Sequence, residues 1–119
     1  MRGLRELGHR GEQMAAAYLE RKGYHILERN YRTRHGEIDL IAQREGIVVF
    51  VEVKTARNLS FGPPQCWVNF RKRDHLIRAA EAYLMGKSAG EDNCRFDVIA
   101  ILLDEKEAQL THIVNAFSA

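Results

Sequence analysis

The sequence has few of the features that mark secreted, membrane-spanning or disordered chains. It contains only two cysteines and two prolines in 119 residues. No stretch approaches the roughly 18 uncharged apolar residues of a transmembrane helix. Residues 1–10 are polar and contain no apolar segment of the kind found in a secretory signal. These absences predict a cytoplasmic protein with no membrane association.

The cysteines and histidines give no sign of a disulfide or a zinc site. Cys66 and Cys94 are 28 positions apart, and the chain has no CxxC pattern. A disulfide is not expected in a chain without a secretory signal. The five histidines are scattered, so surface or loop positions are predicted for them rather than metal ligation.

Composition predicts one folded domain over residues 1–119. Hydrophobic residues make up 45% of the chain and charged residues 29%, which excludes a low-complexity or disordered protein. A chain of this length can bury roughly two-thirds of its unfolded surface, so it can form a core without a disulfide or structural metal.

The net charge is only +2, but it is unevenly distributed. Residues 1–36 carry eight Lys/Arg against four acids, 37–53 one against four, 54–78 six against one, and 79–119 three against seven. An acidic stretch between two basic ones is typical of a polyanion-binding surface around a metal centre. An ordinary solvated surface with chance clustering explains the same counts, so charge alone does not decide.

Hydrophobic periodicity predicts the order αβββαββ, which indicates an α/β or α+β fold with helices packed on a mixed sheet. The predicted helices cover residues 9–22 and 69–85, and the predicted strands cover 24–33, 37–42, 47–55, 94–103 and 110–117. Residues 56–68 are predicted to form an irregular loop. Because a helix separates strand 47–55 from strand 94–103, these two strands are predicted to be parallel.

The most informative residues lie at the end of strand 47–55. This β-branched and aromatic run predicts a central strand buried on both faces, yet it contains Glu52 and Lys54, which share one face. If Glu45 and Gly46 form a two-residue hairpin turn, the numbers of any two residues that face each other across the hairpin sum to 91. This places Asp39 opposite Glu52. A longer loop would make them diagonal neighbours. In either case two carboxylates lie close together in the sheet, where a divalent cation most simply offsets their repulsion.

Two further residues are placed by periodicity. Glu12 precedes Ala15, Ala16 and Leu19 by helical spacings, so its carboxylate continues the inward-facing row of the first helix. An acid near a helix start is also stabilised by the positive end of the helix, and the sequence leaves both explanations open. In strand 37–42, alternation places Ile38 on the same face as Leu40 and Ala42.

These residue types suit metal-dependent hydrolysis of phosphodiesters. Mg²⁺ or Mn²⁺ prefers hard oxygen ligands and leaves positions open for water and a phosphate oxygen. The predicted ligands are Asp39, Glu52 and the backbone carbonyl of Val53, with Glu12 binding directly or through water. Lys54 would hold or help deprotonate the attacking water.

Five short motifs extend over nearly the whole chain: GE at 11–12, GEIDLI at 36–41, FVEVKT at 50–55, FG at 61–62 and RFDV at 95–98. Together they resemble the YraN-like family of small bacterial proteins, a branch of the PD-(D/E)XK nuclease superfamily similar to archaeal Holliday-junction resolvases. The resemblance implies a restriction-endonuclease-like, Holliday-junction-resolvase-like core. It matches Asp39, Glu52 and Lys54 to the superfamily motif and Glu12 to the helix-borne acid of the resolvases. Ile38 stands where the superfamily name implies proline.

The predicted function is a Mg²⁺- or Mn²⁺-dependent nuclease acting on DNA, including branched or structured DNA by analogy with the resolvases. The alternative is a non-catalytic nucleic-acid-binding or adaptor module that retains the fold. The candidate nucleic-acid-binding residues are Arg34, Arg57, Arg71, Lys72 and Arg73, although a basic helix run is also typical of a solvated face.

Three further expectations concern partners and Asp97. A homodimer is expected if the substrate is a symmetric junction, because two cuts then need two sites related by a twofold axis. A DNA-processing protein partner is considered because the net charge is modest for a protein that binds DNA alone. Asp97 is predicted to be a structural hydrogen-bond acceptor rather than a metal ligand.

Overall fold

Two helices pack on opposite faces of a five-stranded sheet. The computed structural model describes residues 4–58, 62, 70–86, 93–104 and 107–117, and for Leu4, Phe70 and Arg71 it describes the backbone alone. The elements are α1 (Leu4–Arg21), β1 (His25–Thr33), β2 (Gly36–Arg44), β3 (Ile47–Ala56), α2 (Phe70–Met85), β4 (Cys94–Leu103) and β5 (Ala108–Phe117). This order confirms the predicted mixed α+β arrangement. Most of the predicted loop over 56–68 lies outside the described residues, as do Cys66 and Asn69.

The strands lie side by side in the order β1-β2-β3-β4-β5. β3 is the middle strand and runs parallel to β4, whereas the other three pairings are antiparallel. Both predictions for the strand over 47–55, its central position and its parallel partner, are therefore confirmed.

Alternation along β3 divides the core between the two helices. Val49, Val51 and Val53 belong to the cluster that α1 covers, whereas Val48 and Phe50 belong to the cluster under α2. A strand enclosed in this way has to be apolar on both faces, which explains its β-branched composition. In the described part of the chain, neither helix is long and apolar enough to cross a membrane.

The first helix begins five residues earlier than predicted, at Leu4 rather than at position 9. Leu7 is buried at 8% exposure in the cluster under α1, where it extends the row of Ala15 and Leu19 towards the N-terminus. The additional turn is stabilised by this burial. Gly8, an unfavourable residue inside a helix, obscured it in the sequence.

The hairpin between β2 and β3 has the predicted register, with Arg44 opposite Ile47 and Leu40 opposite Val51. Glu45 and Gly46 form its turn, both with positive φ, at 53° and 80°. The prediction for Ile38 is wrong. Ile38 packs under α2 with Ile41, whereas Leu40 packs under α1, so strict alternation does not hold in this part of β2.

Candidate active site

The candidate site lies where β2 and β3 separate. Their pairing extends no further than Leu40 and Val51, so Asp39 and Glu52 are not ladder partners as the register predicted. Instead the backbone N–H of Val53 donates a hydrogen bond of 2.8 Å to Oδ2 of Asp39. The carboxylate of Asp39 thus accepts the backbone hydrogen bond that a paired strand would otherwise accept from Val53. The same carboxylate lies beside that of Glu52.

Glu52 is a buried carboxyl group whose exposure is only 2%. Burial, followed by its hydrogen bond and charge interaction with Asp39, raises the pKa of Glu52 to about 9. From α2, the ammonium group of Lys72 lies 3.1 Å from Oε2 of Glu52 and opposes this rise. Glu52 is therefore harder to ionise than a solvated glutamate, because ionisation places a buried negative charge beside Asp39.

Glu12 approaches Asp39 from the opposite face of the sheet, where α1 lies. Burial, together with the charges of Asp39 and Glu37, raises the pKa of Glu12 to about 7. The side-chain amide of Asn30, oriented by its hydrogen bonds, donates to Oε1 of Glu12 at 3.0 Å and to Oε1 of Glu37 at 3.2 Å. Asn30 adopts a left-handed backbone conformation with φ of 52°, which Asn tolerates better than most residues.

A close approach between α1 and β3 determines where Glu12 lies. The backbone of Gly11 packs directly on Thr55, and a Cβ atom at Gly11 would collide with Thr55 Oγ1. Glycine is thus required at position 11 by packing rather than by backbone conformation. It allows the helix to bring Glu12 to the edge of the site.

The arrangement of the acids limits how a metal could bind. Among the described residues, no three His, Cys, Asp or Glu side chains converge closely enough to hold an ion between them. Asp39 instead lies in the middle, near Glu12 on one side and Glu52 on the other. A pair of carboxylates such as Asp39 and Glu52 suits Mg²⁺, which commonly binds one or two protein carboxylates and keeps several waters.

Lys54 lies on the same face of β3 as Glu52, two residues further along. It is partly exposed, and its side chain makes no ion pair or hydrogen bond with any residue in the described portion. The lysine that contacts Glu52 is therefore Lys72 from α2, which the sequence placed among the nucleic-acid-binding residues.

The structure separates the other candidate nucleic-acid-binding residues. Arg34 is exposed in the turn between β1 and β2, and Arg57 is exposed just beyond β3. The guanidinium group of Arg73 lies over the ring of Phe117, 5.5 Å from its centroid. The side chain of Arg71 lies outside the described part of the chain. Lys72 and Arg73 of the run 71–73 thus contact Glu52 and Phe117, and the phosphate-contact role of the run stays a prediction.

Asp97 has the predicted structural role. It is 1% exposed and accepts hydrogen bonds from Arg95, from the backbone N–H of Asn115 at 2.9 Å and, at 2.7 Å, from Nε2 of His112. Burial alone would raise the pKa of Asp97, but its hydrogen bonds to His112 and Arg95 keep it lowered. These contacts tie β5 to β4, and no other acid takes part in them.

Sequence reasoning missed Asn30 and Glu37. Glu37 stands two positions before Asp39, a spacing that could have identified it as a neighbour of the site. Asn30 gave no such signal, because its role depends on a left-handed residue within a strand and on the position of α1. Both residues line an open cavity of about 670 Å³ that also contains Glu12.

Comparison with known proteins identifies relatives along the whole chain. The model of "Uncharacterised protein family UPF0102" matches residues 11–101, which include Glu12, Asp39, Glu52 and Lys54. A UPF0102 protein of Syntrophomonas wolfei is 47% identical over 113 residues, covering 95% of this chain and 98% of the relative. Another, from Alkaliphilus oremlandii, is 48% identical over 115 residues, with coverage of 95% and 98%.

Proposed function

The chain belongs to the UPF0102 family, and from the geometry of its site we propose that it is a metal-dependent nuclease that hydrolyses phosphodiester bonds in DNA, including branched or structured DNA. The observation that carries this proposal is the pairing of Asp39 with the buried Glu52 at the point where β2 and β3 separate. We assign the fold, as part of the same proposal, to the restriction-endonuclease-like and resolvase-like nucleases of the PD-(D/E)XK type.

The energetic cost of the acidic pair supports a cation-binding role. Two adjacent carboxyl groups in a sheet raise each other's pKa, and a buried carboxylate loses its hydration. A protein that only binds nucleic acid would gain nothing from this arrangement, since carboxylates repel phosphates. Mg²⁺ or Mn²⁺ held by Asp39, Glu52 and the carbonyl of Val53 would polarise a phosphate oxygen and lower the pKa of a coordinated water. Glu12 would contact the ion through water.

The residues around the pair would then have separate roles. Lys54, which has no acidic partner among the described residues, would hold the attacking water and offset charge on the phosphate. Asn30 would keep Glu12 in position. Hydrolysis places the hydroxyl of the water on phosphorus, breaks the P–O bond to the leaving sugar and delivers a proton to that sugar oxygen.

Cleavage assays test the proposal directly. Labelled single-stranded, duplex, flap and four-way-junction DNA, with a matched RNA strand, are incubated with the protein in Mg²⁺ or Mn²⁺. We expect cleavage by the native protein and a loss of at least 100-fold in E52Q and in K54A. The matched controls are E20Q and K22A, which change exposed residues of α1 and of the turn after it.

Each result has a defined meaning. Cleavage that persists in E52Q would contradict the proposed site and point to a contaminating nuclease. DNA binding without cleavage under any metal condition would favour the non-catalytic adaptor. Cleavage of junctions in paired cuts by a dimer would extend the proposal to a resolvase.

A further inference from the structure

An open groove of about 900 Å³ lies between the turn joining β1 to β2 and the exposed side of α2. Its charged residues in the described part of the chain are Arg32, Arg34, Asp74, Arg78 and Glu81, and His35 also lines it. Three arginines thus face two acids, and Asp74 is paired with Arg78 at 3.2 Å. The groove thus carries one more arginine than acids, and Arg34 is the arginine of its lining that has no carboxylate partner among the described residues.

Arg34 lies in the hydrogen-bonded turn between β1 and β2, at the edge of the groove. The hydroxyl of Thr33 accepts a hydrogen bond from the backbone N–H of His35 and donates one to the carbonyl of Gly36, both at 3.0 Å. Gly36 has φ of 141° and packs against His75 of α2. The guanidinium group of Arg34 contacts only His35, at 3.5 Å, and pairs with no carboxylate in the described residues. Its charge is available to an anion.

The groove borders the Glu12 side of the candidate site through one shared arginine. Arg32 lines both this groove and the smaller cavity that contains Glu12. Its side chain is 83% exposed and lies 3.8 Å from Glu37, a neighbour of Glu12. A nucleic-acid strand with one phosphate at the acidic site would therefore extend past Arg32 towards Arg34.

Apolar and aromatic side chains also line the groove. Met85 is 85% exposed at the end of α2, next to Ile77 and Glu81 in the lining. Tyr31 also lines the groove, and its ring is held edge-to-face against Tyr83 at 5.2 Å. Grooves that combine positive charge with aromatic or apolar side chains suit unpaired nucleotides, because a duplex keeps its bases stacked inside the helix.

We propose that this groove binds an unpaired stretch of the substrate next to the cleavage point, with one phosphate on Arg34, a second on Arg78 in exchange for its exposed ion pair with Asp74, and bases against Tyr31 and Met85. This inference rests on the proposed function and makes it more specific. The preferred substrates are then strands, flaps or junction arms with single-stranded segments rather than continuous duplex.

Fluorescence anisotropy without divalent metal tests the groove separately from catalysis. The probes are a 20-nucleotide oligothymidylate, a flap and a blunt duplex of the same length. The double variant R34A/R78A should bind the single strand and the flap at least 10-fold more weakly and the blunt duplex nearly unchanged. The slope of log affinity against log salt should also fall by about 1.4 for two lost contacts to a single strand.

The matched control is R21A/R29A, which removes two exposed arginines outside the groove. Its affinities should stay within about twofold of the native values, and thermal melting should show that both double variants are folded. M85A should weaken binding of the single strand and leave the salt slope unchanged, since it removes no charge.

The outcomes distinguish failure of the groove inference from failure of the nuclease proposal. If the native protein cuts DNA but R34A/R78A binds every probe normally, the groove inference is wrong and the proposed function stands. If binding depends on the groove but no probe is cut in Mn²⁺, the inference stands and the nuclease proposal fails. Equal losses for strand, flap and duplex, or no binding by the native protein, would overturn the groove inference.

Discussion

The ammonium group of Lys72 lies 3.1 Å from Oε2 of Glu52, so a residue of α2 supplies positive charge to the buried carboxyl group of β3. The side chain of Glu52 is 3% exposed and that of Lys72 is 42% exposed. Although burial alone would lower it, interaction with Glu52 leaves the pKa of Lys72 raised, so the lysine remains charged at neutral pH. It occupies the side of Glu52 that faces α2.

Removing this ammonium group should therefore have opposite effects on stability and on metal binding. K72A should lower the free energy of unfolding of the metal-free protein by about 1 kcal/mol, because the pair is partly exposed. It should raise the affinity for Mn²⁺ several-fold, since a cation beside the same carboxylate competes with the metal. Urea unfolding and calorimetric titration measure the two effects. K22A, the same change at an exposed lysine, should leave Mn²⁺ affinity unchanged, and weaker Mn²⁺ binding in K72A would show that Lys72 assists the ion.

The stability of the metal-free protein should fall as pH rises. Glu12 and Glu52 have ordinary pKa values near 4.5 when unfolded and values of about 7 and about 9 when folded. At pH values between the unfolded and the folded pKa of each group, the folded chain binds more protons than the unfolded chain. Each rise in pH over that range therefore favours unfolding. Melting temperatures from pH 5 to 9 should therefore decrease, and millimolar Mn²⁺ should reduce the decrease.

The double variant E12Q/E52Q provides the control for this pH dependence. Its melting temperature should vary much less between pH 5 and 9, whereas E81Q, an exposed change in α2, should follow the native curve. A native curve that rises or stays level over this range would contradict the assigned positions of the two acids.

Asp97 should be essential for folding rather than for cleavage. D97N removes the charge that Arg95 and His112 surround, and loss of one partner from such a buried group costs about 3–5 kcal/mol. Because the pKa of Asp97 is lowered, its contribution is present above its ordinary pKa of 3.8 and is lost as pH falls below that value. Urea unfolding at pH 7 measures the loss. D74N, in an exposed ion pair, should change stability by less than about 1 kcal/mol.

Gly11 and Thr55 should be energetically coupled. G11A forces a methyl group against Thr55 Oγ1 and should destabilise the protein by about 1–3 kcal/mol. G8A, in the same helix with no atom near the added methyl group, should stabilise it by about 0.5–1 kcal/mol. The double variant G11A/T55G should recover part of the loss, and a double-mutant cycle of unfolding energies measures the coupling. Additive effects would mean that the close approach is relieved by movement of the helix.

Most of the fold follows from local pattern. The β-branched run 47–55 predicted a central strand, and a two-residue turn at Glu45 and Gly46 predicted the observed register with Leu40 opposite Val51, although a longer loop was also possible. The register could not show that pairing stops before Asp39. That depends on a side-chain hydrogen bond to Val53, which competes with the backbone ladder.

The site was predictable where it lies on one hairpin and less so where separate elements meet. Spacing within a strand identified Asp39 and Glu52, and helix phase identified Glu12. The contact of Lys72 with Glu52 requires the packing of α2 on the sheet, and the contact of Asn30 with Glu12 requires a left-handed residue in β1. Helical spacing does place Lys72 on the inward-facing row of α2, four residues before Leu76, but it does not identify Glu52 as the partner, and Asn30 has no periodic signal at all.

The central claim is that Asp39 and Glu52 together hold a divalent cation. Calorimetric titration of the metal-free protein with Mn²⁺ tests it without requiring a substrate. We expect one ion to bind the native chain, D39N and E52Q to weaken binding at least 10-fold, and D74N to bind normally. Absence of binding to the native protein, or equal affinity in D39N and E52Q, would contradict the account.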